Sequence, residues 1–236
     1  MDVGPAVYAG GMDDTAPLRI LITPGLSISA LLLRPDEPRA CLVLAHGAGA
    51  GMHHAFLADL AKALGGRGIA TLRYQFPYME QGSKRPDSPA VAHQAVRAAV
   101  AQARHRFPGI ALFAGGKSFG GRMTSQAQAE DPLPGVKGIV FVGFPLHPAG
   151  QPSTQRAEHL DRVAVPMLFL QGTRDTLADL ALVRDVVGRI GSRATLHVEE
   201  GADHSFHVLA RSGRRDADVM EALADAAAAW MTASVR

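Results

Sequence analysis

The chain has 236 residues, 47% of them hydrophobic and 19% charged, with 24 basic against 22 acidic side chains and a formal net charge of +2. That length suits one α/β domain with a large core, and the balanced charge offers no basic stripe of the kind that binds nucleic acid. One cysteine, Cys41, leaves no intrachain disulfide; it opens an apolar run in which a thiol serves as a small hydrophobe.

The first fourteen residues, MDVGPAVYAGGMDD, show neither a basic n-region nor an apolar h-region, so no signal peptide is expected. No apolar stretch approaches the ~20 residues of a spanning helix, so a cytoplasmic protein with no membrane partner is expected. Further along, segments 18–23 and 27–33 flank Pro24-Gly25 and predict an antiparallel hairpin at a sheet edge. Short continuous apolar runs follow at 42–45, 69–72, 110–114, 139–142, 167–170 and 195–198. Runs of this length suit strands buried on both faces, as in a parallel sheet.

Between the runs lie helix-period stripes. They are Leu57, Leu60, Ala61 and Leu64; Val96, Ala99, Val100, Ala103 and Phe107; Leu180, Val183, Val187 and Ile190; and Val219, Leu223, Ala226 and Trp230. This alternation predicts an α/β sheet covered on both faces, and without an internal repeat or linker it predicts one domain over 1–236. Arg211, Arg214 and Arg215, followed by Asp216 and Asp218, read as a solvated helix start. Loops 75–88 and 144–162 both follow strand candidates and so belong at the carboxyl edge, where α/β sheets bind ligands. The second is too short for a large cap.

Gly116-Lys117-Ser118-Phe119-Gly120 carries the sharpest signal, G-x-S-x-G. A serine on a tight strand-to-helix turn has a strained backbone and needs small neighbours. The apolar run before it and the helix-compatible segment after it supply that context. The same residues end a degenerate phosphate-loop pattern with Ala111 in place of the first glycine. Leu112, Phe113 and Ala114 read as strand interior, which argues against that loop.

An acid and a histidine follow Ser118 along the chain, each after a further strand candidate, the order of a serine–acid–histidine triad on an α/β sheet. Asp175 ends Gln171-Gly172-Thr173-Arg174-Asp175 after one run, and His204 lies in Asp203-His204-Ser205-Phe206 after the next. The roles are Ser118 as nucleophile, His204 as general base and Asp175 as the acid that fixes the imidazole tautomer. Asp179 is the reserve acid. His204 and His207 as a metal pair have no third ligand in evidence, so no metal and no cofactor are expected. Two backbone N–H groups should face the developing oxyanion, those of Phe119 and of Ala48 in Ala45-His46-Gly47-Ala48-Gly49. His46 supports that loop, and His53 and His54 begin a helix at the rim.

Together, His46-Gly47-Ala48-Gly49, Gly116-Lys117-Ser118-Phe119-Gly120, Gly172-Thr173-Arg174-Asp175 and Asp203-His204-Ser205-Phe206 resemble the alpha/beta-hydrolase superfamily. From about residue 18 onward the chain resembles its small lidless bacterial branch, related to dienelactone hydrolase and to a vertebrate testis-expressed protein. Arg73-Tyr74-Gln75-Phe76-Pro77-Tyr78 and Arg85-Pro86 are similar to that branch as well. The resemblance implies a mostly parallel central sheet with helices on both faces, an N-terminal antiparallel hairpin and no large cap. It also implies acyl chemistry on a small ester or thioester substrate. Dienelactone hydrolase uses a cysteine nucleophile where this chain has Ser118, so the resemblance carries over acyl chemistry and not the lactone substrate. Tyr78 and Arg85 are expected near the pocket mouth, where they would bind an acidic or polar acyl group. The alternative is a non-catalytic binding or scaffold protein on the same fold.

Overall fold

A computed structural model describes residues 15–234. The expectation about a signal peptide falls on residues 1–14, outside the described residues. Strands β1 (Thr15–Thr23) and β2 (Leu26–Leu33) pair antiparallel, and Gly25 turns between them with φ +88°. The chain then runs β3 (Ala40–Ala45), α1 (Ala55–Gly65), β4 (Ile69–Tyr74), α2 (Pro77–Glu80), α3 (Pro89–Arg106), β5 (Ala111–Lys117) and α4 (Phe119–Glu130). It continues through β6 (Val136–Val142), a 3-10 helix (Gln155–Arg162), β7 (Met167–Gly172), α5 (Leu180–Ile190), β8 (Ala194–Glu199) and α6 (Asp216–Ala233).

The eight strands form one sheet in the order β1-β2-β4-β3-β5-β6-β7-β8. β1 and β2 are antiparallel, β2 meets β4 antiparallel, and every pair from β4 to β8 is parallel. Each apolar run named from the sequence lies in one of these strands, save that Ile110 of the run 110–114 precedes β5.

Alternation along the strands supplies two cores. Cys41, Val43, Ile139, Phe141, Met167 and Phe169 point to the layer of α3, α4 and α5, whereas Leu42, Leu44, Val140, Val142, Leu168 and Leu170 point to α1 and α6. A strand buried on both faces needs apolar residues at both phases of its period-two pattern, which is why the runs are continuous. Trp230 of α6 packs so close to β6 that a Cβ on Gly138 would sit 2.6 Å from its ring.

Strand β5 runs three residues beyond its apolar run, so Gly115, Gly116 and Lys117 are strand rather than turn. A Cβ on Gly115 would lie 1.9 Å from the Val140 carbonyl oxygen, and one on Gly116 would lie 2.5 Å from that of Ala45. The glycines therefore let β5 close against both neighbours. Because 111–117 is extended, no phosphate loop forms there.

Loop 75–88 contains one helical turn, α2, which the sequence reading missed. Between β6 and β7 the chain holds only the 3-10 helix, packed on α4. The basic cluster starts α6: the Arg215 N–H donates to Asp218, and Arg214 reaches Glu199 at 2.7 Å. Among the described residues no helix is long and apolar enough to cross a membrane.

Candidate active site

Ser118 sits between β5 and α4 with φ 51° and ψ −114°. Among the described residues the other non-glycine with positive φ is Phe206, two positions after His204. Such a backbone is costly for a residue with a Cβ and persists only where its surroundings over-determine it. At Ser118 the surroundings are tight, since a Cβ on Gly120 would lie 2.6 Å from the His46 carbonyl oxygen. α4 can therefore press its first turn against the end of β3.

The loops after β5, β7 and β8 bring three side chains into line. His204 Nε2 lies 2.9 Å from Ser118 Oγ, and His204 Nδ1 lies 2.7 Å from Asp175 Oδ2. An imidazole that donates from Nδ1 to a carboxylate presents a bare Nε2, so the Ser118 hydroxyl donates to it. The Asp175 side chain is fully buried and the His204 side chain is 21% exposed.

Burying a carboxylate demands donors. Beyond His204, Asp175 accepts from Gln171 Nε2 at 2.5 Å and from the Leu177 N–H at 2.8 Å. The loop that carries it is pinned to the one after β6 by His147. The His147 N–H donates to Leu177 O, and His147 Nε2 accepts from the Asp179 N–H at 2.8 Å. Asp179 does not face His204; its carboxylate caps α5, accepting from the Ala181 and Leu182 N–H groups.

A cleft of about 330 Å³ opens over Ser118, lined in part by Gly47, Ala48, Phe56, Lys117, Leu177 and His204. The Gly47–Ala48 segment lies beside the nucleophile: a Cβ on Gly47 would come within 3.8 Å of Ser118 Cβ. Neither the Ala48 nor the Phe119 N–H meets a protein acceptor among the described residues. His46, fully buried, hydrogen-bonds Gly47 O through Nδ1 and accepts from the Phe76 N–H through Nε2. Burial pushes its pKa down to about 4, so it is a neutral brace for this loop. His54 stands at the N-cap position of α1 without a side-chain capping bond and lines the cleft rim, and His53 is exposed.

Tyr78 and Arg85 are not where the sequence reading put them. Tyr78 is buried, and its hydroxyl accepts from the Gly49 N–H at 2.8 Å, bracing the same loop from behind. Burial raises its pKa. Arg85 is exposed on the loop before α3, and neither residue lines the cleft. His207 is exposed and pairs with Asp216 at 2.9 Å, away from Ser118.

Lys117, Gln171 and His147 are the residues that the sequence reading missed. For Gln171 a signal existed, a polar residue ending an otherwise apolar buried run. A second serine–histidine pair, Ser125 and His159 at 2.8 Å, is a different kind of site. Ser125 is fully buried, and His159 bonds the Arg156 backbone rather than a carboxylate.

The alpha/beta hydrolase domain profile matches residues 38–232. The chain belongs to the alpha/beta hydrolase family. Solved structures share its fold at low identity. A dienelactone hydrolase from Anabaena variabilis superposes with TM-score 0.76 at 18% identity, covering 93% of this chain and 97% of that one. An alpha-beta serine hydrolase homologue from Coxiella burnetii gives 0.72 at 23% identity, over 89% and 96%. A serine hydrolase without lid from Xanthomonas campestris gives 0.72 at 21%, over 92% and 95%. In this alpha/beta hydrolase Ser118 lies between β5 and α4, at the carboxyl edge of the parallel strands.

Proposed function

We propose that this chain hydrolyses a carboxylic ester or thioester of a small acyl group through an acyl-enzyme. The observation that carries the reading is the continuous hydrogen-bond path from Ser118 Oγ through His204 to Asp175. Ser118 Oγ attacks the acyl carbon while His204 Nε2 takes its proton, and Asp175 stabilises the imidazolium that results. The carbonyl oxygen, now an anion, is held by the Ala48 and Phe119 N–H groups. His204 then gives the proton to the departing alcohol or thiol, and water repeats the sequence on the acyl-enzyme. Esters and thioesters suit the site because their leaving groups depart more readily than amines.

Fluorophosphonate labelling followed by a panel of p-nitrophenyl esters and acyl-CoA thioesters tests this. Ser118→Ala should abolish labelling and lower kcat by ~10⁴ or more with the fold intact. Equal labelling of wild type and Ser118→Ala would sink the assignment.

A further inference from the structure

Away from the cleft, a second hollow of about 410 Å³ opens between α4 and the 3-10 helix. A 3-10 helix has three residues per turn, so Arg156, His159 and Arg162 stack in one row. Arg122 and Gln126, one turn apart on α4, also line this hollow. Among the described residues none of the three arginines has a carboxylate within ion-pair distance; Arg156 reaches only the Pro145 carbonyl, at 3.4 Å. Glu158 also lines the hollow and leaves the cationic charge in excess. Arg122 Nε and Gln126 Oε1 are buried without any hydrogen-bond partner.

Like charges held together and polar atoms left unpaired both cost stability unless a ligand satisfies them. Burial, and after it the Arg156 charge, disfavours the charge on Arg122, and the charges of Arg122 and Arg162 add to burial in holding His159 neutral. We infer that this hollow is a binding site for a phosphate-type oxyanion, carried as free phosphate or as a phosphomonoester. Guanidinium groups from two elements present more donors than the two oxygens of a carboxylate accept; a tetrahedral phosphate matches them, and the P–OH of its protonated form is a donor for Gln126 Oε1. The volume exceeds what one phosphate fills and leaves room for its substituent.

Isothermal titration with inorganic phosphate, phenyl phosphate and acetate, at matched ionic strength in chloride buffer, tests the site. Wild type should bind one phosphate group per chain saturably, acetate at least tenfold more weakly, and Ser118→Ala should bind phosphate as wild type does. Tighter binding of phenyl phosphate than of inorganic phosphate would identify the monoester as the better ligand, and equal binding the free oxyanion. Arg156→Gln with Arg162→Gln should weaken binding at least tenfold, while the ligand-free protein unfolds at the same temperature as wild type or higher. Should that double variant misfold, Arg162→Glu at its exposed position gives the same reading. No saturable binding of either phosphate by wild type, equal binding of acetate, or unchanged affinity in the folded arginine variants would overturn the inference.

Discussion

The Lys117 ammonium donates to the main-chain carbonyl of His204, so the residue before Ser118 tethers the residue whose imidazole faces Ser118. Its Nζ sits 5.3 Å from the Phe206 ring centre and 5.9 Å from that of Phe56, which gives the cation an aromatic seat. Burial lowers its pKa to about 8, opposed by the charges of Asp175 and Asp203.

Lys117→Met should therefore lower kcat by roughly 10- to 100-fold with little change in KM, because the histidine loop loses its tether and small misplacements are costly. A charged donor bonds about twice as strongly as a neutral one. The wild-type rate should accordingly decline as pH rises through about 8, where Lys117 loses its proton. The pH profile of kcat on a soluble ester checks this. A decline that persists unchanged in Lys117→Met would assign it to another group.

The two aspartates after β7 divide their work, and the division is testable. Asp175→Asn should keep the fold and cost ~10⁴ in kcat, since an amide favours the wrong imidazole tautomer. Asp179→Ala should leave kcat nearly unchanged and cost about 1 kcal/mol of stability through the lost α5 cap. Kinetics and urea unfolding on both variants would expose a reversed assignment directly.

What was legible in the sequence followed a short-range rule. The strands declare themselves because burial on both faces forces continuous apolar runs, and Ser118, Asp175 and His204 stand out because each follows such a run in the expected order. The supports do not declare themselves. Tyr78 reads as a pocket residue until the fold brings the Gly49 N–H to its hydroxyl, across 29 positions of chain. Lys117 and His204 lie 87 positions apart, and no local pattern announces their contact. The extension of β5 through Gly115 and Gly116 was hidden for a related reason, since it depends on the carbonyls of β3 and β6 that crowd those glycines.

Acid should weaken the fold through two histidines that are buried neutral. The pKa of His46 is lowered to about 4 by burial, and that of His159 to about 4 by burial and the charges of Arg122 and Arg162. Unfolding restores both to about 6.5, so the unfolded chain binds more protons between those values. Their stabilising contribution is complete above pH ~6.5 and disappears as pH falls to ~4, at most roughly 3 kcal/mol each. Urea midpoints should fall steeply from pH 7 to 4.5, and less steeply in His159→Asn. An unchanged wild-type midpoint over that range would refute the account.

Acyl length offers the last test, and the argument is one of volume and cover. The cleft over Ser118 holds about 330 Å³, at the lower end of the range for small-molecule pockets. Between β6 and β7 the chain folds into a loop and the 3-10 helix Gln155–Arg162, which packs against α4 rather than arching over Ser118. Pro145, Pro148 and Pro152 interrupt the loop before it and prevent a longer helix. Among the described residues no cap covers the cleft and none completes an apolar tunnel, so added methylenes beyond the cleft stay in water. Each methylene contributes ~0.8 kcal/mol only when it is buried. Activity on p-nitrophenyl esters should therefore peak at short acyl groups, C2 to C4, and follow simple saturation with no jump at the micellar threshold. Measuring kcat/KM from C2 to C12, below and above that threshold, decides the matter. A preference for C12, or a sharp rise in rate on crossing the threshold, would mean that a covered acyl channel forms when substrate binds.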